Sequence, residues 1–233
     1  LYGVTDAEEI EQLSEEARIS RRRRWWMAPG YREHLTPGVT QLLQFETQAS
    51  AIRIYQPVLV PAVMQTPAYA RTVIDWWDKS LTPEQRRVRF EVRMQRRKNF
   101  DEADGGPHWM VILDESALQR EIGGLRVMAE QLDALAEIAR RPDVNIRIVP
   151  LREGALLGTI GPFNVLDLGD DDPDDAVLYR EANTRDSLDH DPGETRFYRG
   201  TFETLWRRSL DEEKTLRAIA AEAAALHARA DRE

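Results

Sequence analysis

Trp109-Met110-Val111-Ile112-Leu113 is an unbroken apolar run of strand length and strand composition. A strand that alternated between core and water would interleave polar residues, so this run predicts a central strand. The fold must then supply a sheet with this segment inside it. Ala51-Ile52-Arg53-Ile54-Tyr55 alternates before Pro57, as a short strand does. Val144 to Val149, Phe163 to Leu168 and Ala176 to Tyr179 read as three more strands. Their links are a glycine-bearing loop (Gly154, Gly158, Gly161, Pro162) and an Asp-rich loop, Gly169 to Asp175, both short enough for hairpin-like or meandering connections.

Helix signals surround these strands. Thr36-Pro37, Thr66-Pro67 and Thr82-Pro83 each set a capping hydroxyl before a proline whose φ is already helical. Leu125 to Arg141 carries Met128, Leu132, Leu135 and Ile138 at helical spacing and stops at Pro142. The chain closes with helical segments near Glu194–Arg208 and Leu210–Arg232, and Thr5 with Glu8 makes a capping box for a helix running toward Arg24. The expected class is α+β: a helical N-terminal half and C-terminal helices packed on one mixed or mostly antiparallel sheet of four or five strands. Residues 1–35 read as a linker helix, and residues 36–233 as a single α+β domain.

Composition removes several classes. The 233 residues include no cysteine, which excludes disulfide scaffolds, thiolate nucleophiles and cysteine-ligated metal centres. No apolar run approaches the ~20 residues that cross a bilayer, and Leu1 to Glu9 lacks the basic and apolar regions of a secretory signal. A cytoplasmic location without a membrane partner is expected. The formal charge of −9 is concentrated: Asp167 to Glu194 holds eleven acids against Arg180 and Arg185, while basic clusters lie at Arg18–Arg24 and Arg86–Lys98. Duplex DNA repels a net anion, so this chain is not expected to wrap DNA by itself.

No motif selects a reaction. Asp114-Glu115, at the exit of the strongest strand, suits either catalytic carboxylates or the cap of the segment that follows, with no histidine or lysine close in sequence as a partner. Gly154-x-x-x-Gly158-x-x-Gly161 runs into Pro162-Phe163 and a strand, so it is neither a Walker loop nor a dinucleotide fingerprint. The acidic run Asp170 to Asp175 lacks the spacing, central glycine and final glutamate of an EF-hand loop. Asp186, Asp189, His190 and Asp191 lack a helical histidine pair. No catalytic residue, metal or cofactor is expected. Trp25-Trp26 and Trp76-Trp77 are adjacent pairs, so one ring of each is expected to meet a second surface.

The stretch Ser50 to Arg71, with Tyr55, Pro57, Pro61 and Gln65-Thr66 at its centre, resembles the large C-terminal domain of unknown function of actinomycete XRE-type (Cro/cI-like) helix-turn-helix regulators. The resemblance continues in order through Arg93-x-x-Arg96-Arg97, Asp114-Glu115-x-Ala117-Leu118-x-Arg120-x-x-Gly123, Gln131-Leu132, Pro142-x-Val144, Gly161-Pro162-Phe163 and Tyr198-x-x-x-Phe202. Gln56 departs from it, standing where an acid is usual, and Ala62-Val63 replaces a Gly-Leu pair. The resemblance implies a ligand-sensing or partner-binding domain of a transcriptional regulator that contacts DNA through a helix-turn-helix module preceding Leu1. A small partner protein and an unknown small-molecule ligand are the expected partners.

Glu46, Arg53, Tyr55, Gln65, Thr66 and Tyr69 are the expected ligand-binding residues, polar groups flanking a proline-braced segment. In the strand reading Ile52 and Ile54 face the core, and Arg53 and Tyr55 face a cleft closed by the helix from Thr66. An alternative makes Arg53 and Glu46 a structural ion pair. Arg93, Arg96 and Arg97, on a basic surface helix, are expected with Trp76 and Trp77 at a partner-binding surface. Two rival functions stay open. One is a small-molecule enzyme using Asp114, Glu115, Arg120 and Glu181; the other is a pure oligomerisation module, such as a homodimer.

Overall fold

A computed structural model describes residues 25–77, 81–102, 105–156, 160–169, 174–181 and 186–233. The linker helix expected toward Arg24, residues 157–159 of the glycine loop, residues 170–173 of the Asp-rich loop and the side chain of Trp77 lie outside the described residues.

All three Thr-Pro signals open helices. Helix α1 (Pro37–Glu46) is capped by the Thr36 hydroxyl, which accepts from the Val39 amide at 3.2 Å. Helix α2 (Pro67–Trp77) has the Tyr69 amide 3.4 Å from the Thr66 hydroxyl. Helix α3 (Pro83–Asp101) has a full capping box, Thr82 and Gln85 each accepting from the other's amide. Helix α4 (Leu125–Ile138) buries its apolar stripe. Helices α5 (Pro192–Arg208) and α6 (Glu212–Ala230) are capped by Asp191 and Asp211.

The sheet contains β1 (Ala51–Gln56), β2 (His108–Asp114), β3 (Val144–Val149), β4 (Phe163–Asp167), β5 (Ala176–Arg180) and β6 (Ser187–Asp189), in the order β3-β2-β1-β4-β5-β6. β1, β2 and β3 run parallel, and the other neighbours pair antiparallel, so the sheet is mixed and the α+β class holds. Its six strands correct the expectation of four or five. The extra one, Ser187-Leu188-Asp189, is too short to show a period and exists because β5 offers it an edge, with Tyr179 opposite Leu188. The link from β3 to β4 is a further correction: it is a crossover past β2 and β1, whereas β4 and β5 are the adjacent antiparallel pair expected.

The apolar run of β2 is continuous because both faces of the sheet are covered. Val111 and Leu113 join Ile52, Ile54, Ile146 and Ile148 in a core closed by α2, α4 and α6. Ile112 points the other way, joining Tyr55, Phe163 and Val165 under Phe202 and Leu205 of α5. A smaller cluster holds Trp26 with Leu43, Val88 and Val92. The first tryptophan pair therefore divides: Trp26 is buried and Trp25 packs edge-on against it and against Tyr31.

Gly123, just before α4, has φ +78°, and a Cβ there meets Val127 Cγ1 at 2.7 Å and Thr72 Oγ1 at 2.8 Å. Gly123→Ala is expected to destabilise the fold by about 1–3 kcal/mol. Urea denaturation checks this: the midpoint falls with the slope unchanged, and an unmoved midpoint contradicts the strain argument.

Candidate functional site

Pro57 and Pro61 end the extended run of β1, and the chain passes through a 3-10 turn at Ala62–Met64 before α2. This loop is packed against α3 and α4, so its backbone needs internal partners. Gln131, on the apolar stripe of α4 and fully buried, accepts from the Thr66 amide at 2.7 Å and donates to the Met64 carbonyl at 2.9 Å. Gln65 donates to the Val60 carbonyl at 2.7 Å, and the Tyr69 hydroxyl accepts from the Val60 amide at 3.2 Å. Arg97 adds a bond to the Met64 carbonyl at 3.0 Å. Burial raises the Tyr69 hydroxyl to about 12, against the pull of the Val60 amide, Arg93 and Arg120.

Between this loop, α2 and α3 lies a cavity of about 70 Å³. Gln56, Gln65, Arg89, Arg93 and Glu181 supply its polar groups, and Val60, Val73 and Ile74 part of its apolar wall. Arg93 donates to the Gln65 side-chain oxygen at 2.6 Å. Burial pulls its guanidinium down to about 10, with Glu181 opposing and Arg96 and Arg89 adding to the shift. The guanidinium still carries its charge at neutral pH. Neither Arg89, Arg93 nor Glu181 has an ion-pair partner within 4.0 Å among the described residues. Arg89 and Arg93 are half-buried and Glu181 is exposed, so the two guanidiniums are partly desolvated without a carboxylate in contact among the described residues.

The expected ligand residues divide between the two faces of the sheet. Gln65 lines this cavity, and Thr66 and Tyr69 brace the loop that forms it. Glu46 lies nearby, held by Arg96 in a two-point pair (Nε to Oε2 3.2 Å, Nη2 to Oε1 2.5 Å). Arg53 and Tyr55 are on the opposite face, covered by α5 and not by the helix from Thr66. Arg53 pairs with Asp167, which also accepts from Arg199 at 2.5 Å, so the alternative Arg53–Glu46 pair is replaced by two separate pairs. Tyr55 is fully buried, and its hydroxyl has no hydrogen-bond partner among the described residues. Burial raises it to about 12, with the Asp114 carboxylate adding to the effect.

Arg93, Arg96 and Arg97, expected on an open surface, all turn inward to Gln65, Glu46 and the Met64 carbonyl. Trp76 is 78% exposed. Asp114 accepts from the Ser116 amide and Glu115 from the Leu151 amide, both at 2.8 Å, so these strand-end acids bind backbone. Among the described residues no group of three or more His, Asp or Glu is placed to hold a metal ion, and no helix is long and apolar enough to cross a membrane.

A larger cavity of about 420 Å³ lies against α5, with Val149, Ile160, Phe197 and Leu205 in its wall. Its charged groups are already engaged, Arg208 with Glu153 at 3.5 Å and Arg196 with Asp174 at 3.6 Å. The smaller cavity is therefore the candidate site.

The site residues not singled out from sequence as ligand groups are Gln56, Arg89, Glu181 and the positioning residue Gln131. Two left a readable signal. Arg89 and Arg93 are four apart on one helix and so share a face, and Gln131 interrupts an apolar stripe, where a polar group needs dedicated partners.

Replacing Gln131 by Leu strands the Thr66 amide and removes one donor from Met64. A loss of about 2–4 kcal/mol is expected in chemical denaturation, with Gln131→Glu intermediate because it keeps the acceptor. Tyr55→Phe removes a hydroxyl that makes no bond among the described residues, so stability at pH 7 is expected to stay within about 0.5 kcal/mol of wild type or to rise. Tyr55 and Tyr69 are held protonated in the fold, so their contribution is full below the unfolded value of 10.0 and is lost as pH climbs toward about 12. Stability of wild type should fall above pH 10, and less steeply in Tyr55→Phe; parallel curves contradict the assignment.

No curated protein and no solved structure matches the chain. A family model does match, over residues 39–221, a span that contains the loop, α3, Glu181 and every other group of the cavity. The chain belongs to the family described as Domain of unknown function (DUF5753).

Proposed function

We propose that this chain is the ligand-sensing domain of a cytoplasmic XRE-type helix-turn-helix transcriptional regulator, with DNA contacted by a module preceding Leu1 and the effector bound in the cavity at Arg89 and Arg93. The observation that carries the reading is the convergence of Arg89, Arg93 and Glu181, none within 4.0 Å of a counter-charge among the described residues, on one cavity. The ordered resemblance from Ser50 to Phe202 supports the regulatory setting. The cavity joins the loop after β1, α2, α3 and the residue that follows β5, so an occupant ties separate parts of the fold together. Such an occupant shifts the population toward the arrangement that binds it best, which is what a sensor requires. The enzyme reading has less support, because Asp114 and Glu115 are bound to backbone amides. The exposed ring of Trp76 favours a partner-binding role for the end of α2 alongside sensing.

The test uses the regulator carrying its DNA-binding module, in its own host. Arg89→Ala and Glu181→Gln are expected to leave operator occupancy, read by chromatin immunoprecipitation, within about twofold of wild type, while the transcriptional response to the inducing condition is lost. A wild-type response in both variants overturns the reading. The 233-residue chain alone, with its charge of −9, should bind duplex DNA weakly and without sequence preference at physiological salt; nanomolar specific binding in a gel shift contradicts this.

A further inference from the structure

Helix α3 carries six arginines, and their partners separate them into two groups. Arg87 is held by Glu84 and Glu91, Arg96 by Glu46, Arg97 by Asp101, and Arg86 lies 4.0 Å from Asp75. Among the described residues Arg89 and Arg93 have no such carboxylate within 4.0 Å, and these are the two that line the cavity. They stand one helical turn apart on the same face, where like charges repel and destabilise the helix. An anion between them relieves that repulsion. A guanidinium pair presents its donors as planar forks, a geometry that matches the two oxygens of a carboxylate.

We propose that the cavity binds the carboxylate group of a small monoanion, gripped by Arg89 and Arg93. This inference rests on the reading of the cavity as the sensor site and names the chemistry of its effector. The charge count sets the valence. Two guanidiniums and the Glu181 carboxylate leave one positive charge, which a monoanion neutralises, whereas a dianion such as sulfate leaves an excess negative charge facing Glu181. The volume sets the size. At about 10–15 Å³ per water on the same measure, 70 Å³ admits roughly five water-sized groups, enough for a carboxylate with a short alkyl or hydroxyalkyl stem. Val60, Val73 and Ile74 suit the apolar stem, and the Gln56 amide, which has no hydrogen bond of its own among the described residues, offers a further donor.

The experiment is thermal unfolding of the 233-residue chain with acetate, propionate, lactate, sulfate or chloride at matched ionic strength. At roughly 100 mM, at least one of the three carboxylates is expected to raise the midpoint saturably by about 3 °C or more, with sulfate and chloride giving less than a third of that. Arg89→Ala, which breaks no hydrogen bond or ion pair among the described residues, should abolish the shift. Arg87→Ala, on the solvent side of the same helix, should keep it. Glu181→Gln should move the preference toward sulfate. No carboxylate-specific shift, an equal shift with sulfate in wild type, or a shift that survives Arg89→Ala overturns the proposal. The two readings fail separately. Carboxylate binding with an unaltered transcriptional response in Arg89→Ala leaves the site and removes the sensing role; a lost response with no carboxylate shift leaves the sensor and removes the carboxylate.

Discussion

Because β2 sends apolar side chains to both sides, helices must cover both faces of the sheet, and polar chemistry is pushed to the strand ends and the loops between layers. Val111 and Leu113 require α4 and α6; Ile112 requires α5. The turn from β1 into α2 is then trapped beneath α3, where water cannot satisfy its amides and carbonyls. Gln131, Gln65, Tyr69 and Arg97 do so instead. The cavity is a consequence of that arrangement: a loop held rigidly away from the helix beside it, with long side chains spanning the gap.

Charge is handled differently on the two sides of the sheet. Under α5, Arg53 and Arg199 both touch Asp167, so two cations share one anion at contact distance, with Glu203 acting on Arg53 from the same helix. Burial nevertheless lowers the Arg53 guanidinium, and Arg199 adds to that. Beside α3, Arg96 is completed by Glu46, with both groups 13% exposed, while among the described residues Arg93 reaches the neutral oxygen of Gln65 and no carboxylate within 4.0 Å. Breaking either buried pair is strongly unfavourable, so those residues hold the fold.

Much of the local structure is legible in the residues themselves. A threonine before a proline sets a cap and a helical φ within two positions, which is why α1, α2 and α3 begin where the sequence predicts. Helical spacing identifies the buried stripe of α4, and the unbroken run of β2 identifies the central strand. Gln65 and Gln131 are polar groups in apolar surroundings, and both proved to bind backbone. Arg53 and Tyr55 were legible as residues sharing one face of β1; which helix closes that face was not.

The sequence by itself determined the types of the longer elements, the threonine caps of α1, α2 and α3, the two-faced burial of β2 and the pairing of Arg89 with Arg93 on one face of a helix. These depend on bond geometry and on neighbours within one or two turns. The tertiary structure alone decided that β6 joins the sheet, that β3 connects to β4 by a crossover, that Glu46 meets Arg96 and Arg53 meets Asp167, and that Glu181 faces the cavity. Each of those contacts joins groups distant along the chain. Their choice follows from strand order and helix placement, which minimise exposed apolar area and unpaired polar groups across the whole molecule at once, and no window of the sequence contains that sum.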